Sequence, residues 1–165
     1  MSNPPVLLMG HPNVGKSALF NRLSGADITE SNYPGTTVDY TESTLSTNGT
    51  TRRIIDVPGT FSLDPKDSAE SVAVDLLEAN PDATVIAVLD ATRIERGLNL
   101  ALEIIDRGYD LVLALNMFDE ARARNIDIDV DELASTVGVP VVPTVATEGT
   151  GVRELTDRVG GATQS

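Results

Sequence analysis

Residues Gly10-His11-Pro12-Asn13-Val14-Gly15-Lys16-Ser17 spell G-x-x-x-x-G-K-S, directly after the apolar run Pro5-Val6-Leu7-Leu8-Met9. This is the spacing of a phosphate-binding P-loop. Backbone N–H groups across Asn13, Val14, Gly15, Lys16, Ser17 and Ala18 line an anion cradle at a helix N-terminus, where the macrodipole also favours negative charge. Lys16 reaches the β- and γ-phosphates, and the Ser17 hydroxyl ligates Mg²⁺. The context agrees. A strand of buried type precedes the loop, and Ser17-Ala18-Leu19-Phe20-Asn21-Arg22-Leu23 follows with helical spacing.

Outward from this loop the chain alternates strand and helix. Strand patterns cover 6–9, 38–46, 51–57, 84–90, 111–116 and 139–143; helical patterns cover 16–24, 67–79, 94–107, 130–137 and 152–159. Asn48-Gly49 predicts a tight hairpin, so the second and third strands run antiparallel. The continuous apolar runs Val85–Leu89 and Leu111–Leu115 predict strands covered by helices on both faces. The expectation is an α/β fold: a doubly wound, mostly parallel, six-stranded sheet with one antiparallel strand. Its ligand should bind beyond the carboxyl ends of the strands. The organisation reads as a single domain over 1–159 with a flexible tail over 160–165.

Composition narrows the function classes. The 165 residues carry 25 acidic against 12 basic side chains, a net charge of −13, and only Lys16 and Lys66 are lysines. Such a surface repels nucleic acid, whose binding needs clustered Lys and Arg. With no cysteine there is neither a disulfide nor a thiolate metal site. The apolar run at 5–9 is too short for a secretory signal, and no stretch reaches the roughly 18–20 apolar residues of a membrane span. A cytoplasmic location is expected.

Three further segments carry chemistry. Asp56-Val57-Pro58-Gly59 closes the third strand; an acidic residue there holds Mg²⁺, and the Gly59 N–H contacts the γ-phosphate. Asn32-Tyr33-Pro34-Gly35-Thr36-Thr37 lies between the P-loop helix and the hairpin, where a threonine can complete the Mg²⁺ coordination and lose it on hydrolysis. Asn116-Met117-Phe118-Asp119 ends the fifth strand, and Val145-Ala146-Thr147 follows the sixth. The Asp119 carboxylate accepts from guanine N1–H and N2–H₂, donors that adenine does not present together. The backbone N–H of Ala146 or Thr147 then contacts guanine O6. These motifs in this order specify a GTP-binding domain. His11 reads as a loop side chain, Asp127–Glu132 as an alternating segment with Asp129 capping a helix, and Arg93 and Arg96 as solvated helix charges.

The stretches N-Y-P-G-T-T-V, D-V-P-G-T-F-S-L, A-T-R-I-E-R-G-L-N-L and L-N-M-F-D-E-A, with the P-loop, resemble the N-terminal G domain of ferrous iron transport protein B over nearly all of 5–157. Met117 is the most diagnostic residue, because most GTPases carry lysine there. The resemblance implies slow GTP hydrolysis to GDP and phosphate, a cytoplasmic switch acting on an iron transporter, and dimer or trimer formation through the G domain. It also implies a helical domain and a membrane iron-permease domain downstream, so the chain reads as a regulatory domain separated from its transport domain. It selects Thr37 over Thr36, and it makes Asn13 a ligand for a stimulating K⁺. Lys16, Asn13 and Thr37 are thus the expected catalytic residues. Thr60 stands where many GTPases place a water-orienting glutamine. The alternatives are a stand-alone GTPase of the ribosome-assembly or tRNA-modification type, and a nucleotide-gated binding module with incidental turnover.

The scarcity of lysine beside ten arginines, with abundant Asp, Thr and Val, resembles proteins of salt-loving archaea. At high ionic strength carboxylate repulsion is screened within a few ångströms. Circular dichroism is expected to report a folded chain in about 2–3 M KCl and loss of structure near 0.1 M, where the Debye length grows to about 10 Å. Full stability at low salt would defeat this expectation.

Overall fold

The computed structural model describes residues 4–25, 27–47, 49–64 and 68–162. In chain order the elements are β1 (Val6–Gly10), α1 (Lys16–Leu23), β2 (Thr29–Asn32), β3 (Asp39–Thr47), β4 (Thr50–Asp56), α2 (Ser68–Ala79), β5 (Thr84–Asp90), α3 (Ile94–Asp106), β6 (Asp110–Asn116), α4 (Phe118–Ala123), α5 (Val130–Val137), β7 (Val141–Pro143) and α6 (Val152–Ala162). The strands form one sheet in the order β2-β3-β4-β1-β5-β6-β7. β1 pairs in parallel with β4 and β5, as do β5 with β6 and β6 with β7, whereas β3 is antiparallel to both β2 and β4. β3 is therefore the one reversed strand, as expected.

The sheet has seven strands rather than six. The additional strand, β2, reads Thr29-Glu30-Ser31-Asn32 and is mostly exposed. A polar edge strand has no apolar face to announce it, and its charge discourages edge-to-edge pairing. α4 is also additional; at six residues it is too short to display a helical period. β3 passes to β4 through a two-residue connection whose Gly49 has φ +77°, the left-handed backbone a tight hairpin requires. Asn48 of that turn, and Asp67 at the expected start of α2, lie outside the described residues. α6 reaches Ala162 and takes in the first three residues expected in the tail; residues 163–165 are outside the description.

Alternation along the central strands builds two cores. Leu7 and Met9 of β1, Val85, Ala87 and Leu89 of β5, and Leu111, Leu113 and Leu115 of β6 pack on one face with α2 and α3. Their neighbours Val6, Leu8, Ile86, Val88, Val112 and Ala114 pack on the other face with α1 and α6. Because successive side chains point to opposite faces, a strand covered on both sides must be apolar throughout. That explains the unbroken runs in β5 and β6. Most polar groups within this frame are bonded, the Ser24 hydroxyl and Arg52 Nη1 being without a partner among the described residues. The side chain of Arg52 on β4 is buried and donates from Nε to the Pro4 carbonyl at 2.6 Å and from Nη2 to the Thr84 hydroxyl at 2.9 Å. Burial pushes its pKa below the ordinary guanidinium value, opposed by the charges of Asp110 and Asp82.

Candidate functional site

The site forms where β1, β4 and β6, and the turn after β7, reach their carboxyl ends. The turn from β1 into α1 is set by two left-handed residues, Asn13 at φ +69° and Gly15 at φ +83°. Asparagine tolerates this region better than most side chains, and glycine adopts it freely. Gly15 has a second constraint, because a Cβ there would collide with the side-chain amide of Asn116. The turn opens into a cavity of about 410 Å³ lined by His11, Pro12, Asn13, Gly15, Lys16, Ser17, Ala18 and Gly59. Lys16 Nζ pairs with Asp56 Oδ1, which closes one side with two opposite charges.

A second cavity of about 240 Å³ is lined by Gly15, Ala18, Asn116, Met117, Asp119, Glu120, Val145, Ala146 and Thr147. Gly15 and Ala18 border both cavities, so the two adjoin along the start of α1. Asn116, 3% exposed, connects their walls. Its Nδ2 donates to the Val14 carbonyl at 2.9 Å, and its Oδ1 accepts from the Thr144 hydroxyl at 3.1 Å and the Ala146 N–H at 3.0 Å. Of the two backbone donors expected to face guanine O6, Ala146 is thus already bonded. Among the described residues the Thr147 N–H has no protein acceptor. Met117 adopts φ +59° and is the N-cap of α4, which places Asp119 in that helix's first turn.

Three expected residues stand apart from the linings of these two cavities: Asp56, which reaches the phosphate cavity only through its pair with Lys16, Val14 and Thr37. Val14 is buried and contributes its carbonyl to Asn116. Thr37 is exposed on the loop between β2 and β3 and does not line the phosphate cavity. That loop closes on itself. Tyr33 N–H donates to the Val38 carbonyl at 2.9 Å, and the Thr36 hydroxyl donates to the Tyr33 carbonyl at 2.9 Å while accepting from Val38 N–H at 3.0 Å. Thr36 is committed to this turn.

Beyond Gly59, Thr60 is fully buried, and its hydroxyl donates to the Ser62 carbonyl at 2.8 Å and lies 3.4 Å from Glu70 Oε2. It faces away from the phosphate cavity. Glu103 on α3 accepts from the Leu63 N–H at 2.9 Å. His11 packs edge-on against Phe61, with ring centroids 5.0 Å apart, and its Nε2–H donates to the Phe61 carbonyl at 3.2 Å. The P-loop is thereby linked to the loop after β4. Arg93 and Arg96, remote in sequence, sit at a cavity of about 300 Å³ that adjoins the P-loop through His11, Pro12 and Asn13.

Sequence reasoning missed Arg22, Glu70 and Glu103, which hold loops through a few side-chain hydrogen bonds. No motif spacing marks such contacts. Arg22 Nε donates to the Ala146 carbonyl at 3.0 Å, and Nη2 donates to the Thr147 carbonyl at 2.7 Å.

A P-loop cradle beside a carboxylate-bearing pocket, on a sheet of this order, places the chain among the P-loop GTPases. Comparison with known proteins is specific. The family model for ferrous iron transport protein B (FeoB) matches residues 5–159. The Fe(2+) transporter FeoB of Helicobacter pylori is 41% identical over 141 residues, covering 86% of this chain and 22% of that protein. The G domain of the T. maritima FeoB iron transporter superposes with a TM-score of 0.90 at 38% identity, covering 98% of this chain and 99% of that one. The cytosolic domain of the same transporter in a GDP form gives a TM-score of 0.91 at 36% identity, covering 100% of this chain and 65% of that one. The chain belongs to the ferrous iron transport protein B family and corresponds to its N-terminal G domain. It spans 22% and 20% of the length of the first curated relatives it matches.

Replacing Asn116 with alanine leaves the Val14 carbonyl, the Thr144 hydroxyl and the Ala146 N–H unpaired in a buried position. Urea unfolding should show a loss of about 1–3 kcal/mol. An unchanged midpoint would mean that these loops are held by something else.

Proposed function

We propose that this chain binds GTP and GDP across the two adjoining cavities and hydrolyses GTP, serving as the cytoplasmic switch of a ferrous iron transporter. The observation that carries this reading is the shared wall: Gly15 and Ala18 border both cavities, so one ligand can present phosphates to Lys16 and a base to Asp119. Asp119 accepts from guanine N1–H and N2–H₂, the Thr147 N–H donates to O6, and the Met117 stem covers an apolar ring face. On nucleotide binding Lys16 exchanges Asp56 for β- and γ-phosphate oxygens, which releases the carboxylate.

The donor set fits Mg²⁺. A hydroxyl and a carboxylate are hard oxygen ligands, too few to close a cage, as expected for an ion that also uses phosphate and water oxygens. Among the described residues no cluster of three or more His, Cys, Asp or Glu offers an alternative metal site. Ser17 and Asp56 would hold the ion, joined by Thr37 from the β2–β3 loop, and Mg²⁺ would neutralise charge on the phosphates. Asn13 lines the phosphate cavity, and its amide oxygen suits K⁺, which would stabilise charge developing in phosphoryl transfer. Thr60, buried and bonded, cannot orient water at the γ-phosphate. The Gly59 N–H remains the phosphate contact on this side. Intrinsic turnover is therefore slow, on the order of 10⁻⁴–10⁻² s⁻¹.

The family relationship supports a helical domain and a membrane iron-permease domain as the downstream partners, at the cytoplasmic face of the membrane, and self-association of G domains as a dimer or trimer. The acidic surface supports no nucleic-acid partner, which disfavours the ribosome-assembly type. Among the described residues no helix is long and apolar enough to cross a membrane.

Two measurements test this reading. Asp119→Asn should shift preference from GTP toward xanthosine triphosphate, and unchanged GTP affinity would remove Asp119 from base recognition. Phosphate release should be faster in KCl than in NaCl for the wild type and equal in both for Asn13→Gly, which keeps the left-handed backbone while removing the amide. Equal wild-type rates in the two salts would reject the K⁺ role.

A further inference from the structure

α1 begins at the phosphate cradle and carries Arg22 in its last turn, six residues beyond Lys16 and roughly 9 Å along the helix axis. A basic residue in the last turn of a helix ordinarily serves the helix dipole. Arg22 does something more directed. In a chain with 25 acidic residues it forms no ion pair among the described residues. Its Nε and Nη2 instead reach the carbonyls of two consecutive residues, Ala146 at 3.0 Å and Thr147 at 2.7 Å. The guanidinium packs against Gly149, where a Cβ would lie 3.3 Å from Nη1. A side chain there would press on the fork.

The Ala146 carbonyl and the Thr147 N–H belong to one peptide unit. A trans peptide is planar and points its C=O and N–H in opposite directions. Arg22 is not among the residues lining the base cavity, whereas Ala146 and Thr147 are. A carbonyl held toward Arg22, outside the cavity, therefore directs the Thr147 N–H to the opposite side, that of the cavity. The cation also polarises the peptide and strengthens that N–H as a donor. Asn116 fixes the preceding peptide from the other side through the Ala146 N–H. Two successive peptide units of the loop are thus clamped by side chains from α1 and β6.

We infer that Arg22 is a positioning residue for the base subsite: its fork on the Ala146 and Thr147 carbonyls aims the Thr147 N–H at guanine O6 and so sets how long GDP remains bound. This rests on the guanine-nucleotide reading above. It adds a link between phosphate helix and base loop that uses no atom of Arg22 on the nucleotide. Lysine cannot replace the fork, since an ammonium is a point donor without the planar pair of N–H groups.

The test compares wild type, Arg22→Gln and Arg22→Lys in release of a fluorescent GDP analogue chased with excess GDP, and in displacement of that analogue by inorganic pyrophosphate, which touches only the phosphate cradle. The expected result is release about ten-fold faster in Arg22→Gln, the size of losing charge-assisted hydrogen bonds, with a smaller acceleration in Arg22→Lys. Pyrophosphate affinity should be the same in all three. Unchanged GDP release in Arg22→Gln overturns the proposal, and so does an equal loss of pyrophosphate affinity, which would mark Arg22 as a general support of the fold. A wild type that retains no GDP would instead overturn the nucleotide-binding reading itself.

Discussion

The buried amide of Asn116 is the contact on which the site's geometry depends. One side chain at the end of β6 satisfies the carbonyl of Val14, the hydroxyl of Thr144 and the N–H of Ala146. The partners belong to two strand-end segments, Val14 after β1 and Thr144 and Ala146 after β7, and each would be an unsatisfied buried group without it. An amide suits this position because it donates at one end and accepts at the other. A carboxylate would set an acceptor against the Val14 carbonyl. The absence of a Cβ at Gly15 lets the amide approach, so the glycine of the phosphate loop and the asparagine of the base motif form one joint. The phosphate and base cavities meet at this joint.

The charged groups follow from the same placement. Lys16 is the only described lysine, and it lies against Asp56 in a partly buried pair. A cation and a carboxylate with reduced access to water neutralise each other better than either could be left alone. The rest of the surface is strongly acidic, with exposed pairs such as Arg53 and Glu42 across the β3–β4 hairpin contributing little where water and salt screen them. Electrostatic selectivity is therefore concentrated in the cleft, although net charge governs the surface as a whole.

The loop after β4 shows how a response can be built without the usual glutamine. Thr60 turns inward to the Ser62 carbonyl and Glu70, Leu63 is tied to Glu103 on α3, and Phe61 is held by His11 of the P-loop. Gly59 packs against Pro12, with its missing Cβ position 3.2 Å from that ring. Hydrogen bonds therefore connect the phosphate loop to α2 and α3 through a segment that contains little regular structure. Such a segment can carry a change at the phosphates toward the helices, because its contacts are few and specific rather than a packed core.

By itself, the sequence determined the α/β class, the two-sided burial of β5 and β6, the hairpin and the motifs that line the two cavities. These are local matters: a period of two or 3.6, a glycine at a left-handed turn, a fixed spacing in one loop. It also placed Asp129 correctly as the cap of α5, where its side chain accepts from Glu132 N–H at 3.0 Å. β2 and α4 escaped it, one because a polar edge strand has no buried face and the other because six residues are less than two turns. The distribution of roles within the site required the tertiary structure. Only folding brings Asn116 to Val14 across 102 residues and Arg22 to Ala146 across 124. Only the backbone shows that Ala146 N–H is already bonded, that Thr60 faces the interior, and that Thr37 lies on a closed turn away from the cradle. Contacts between segments distant in sequence leave no periodic trace, since each depends on one hydrogen-bonding group reaching another after the sheet has formed.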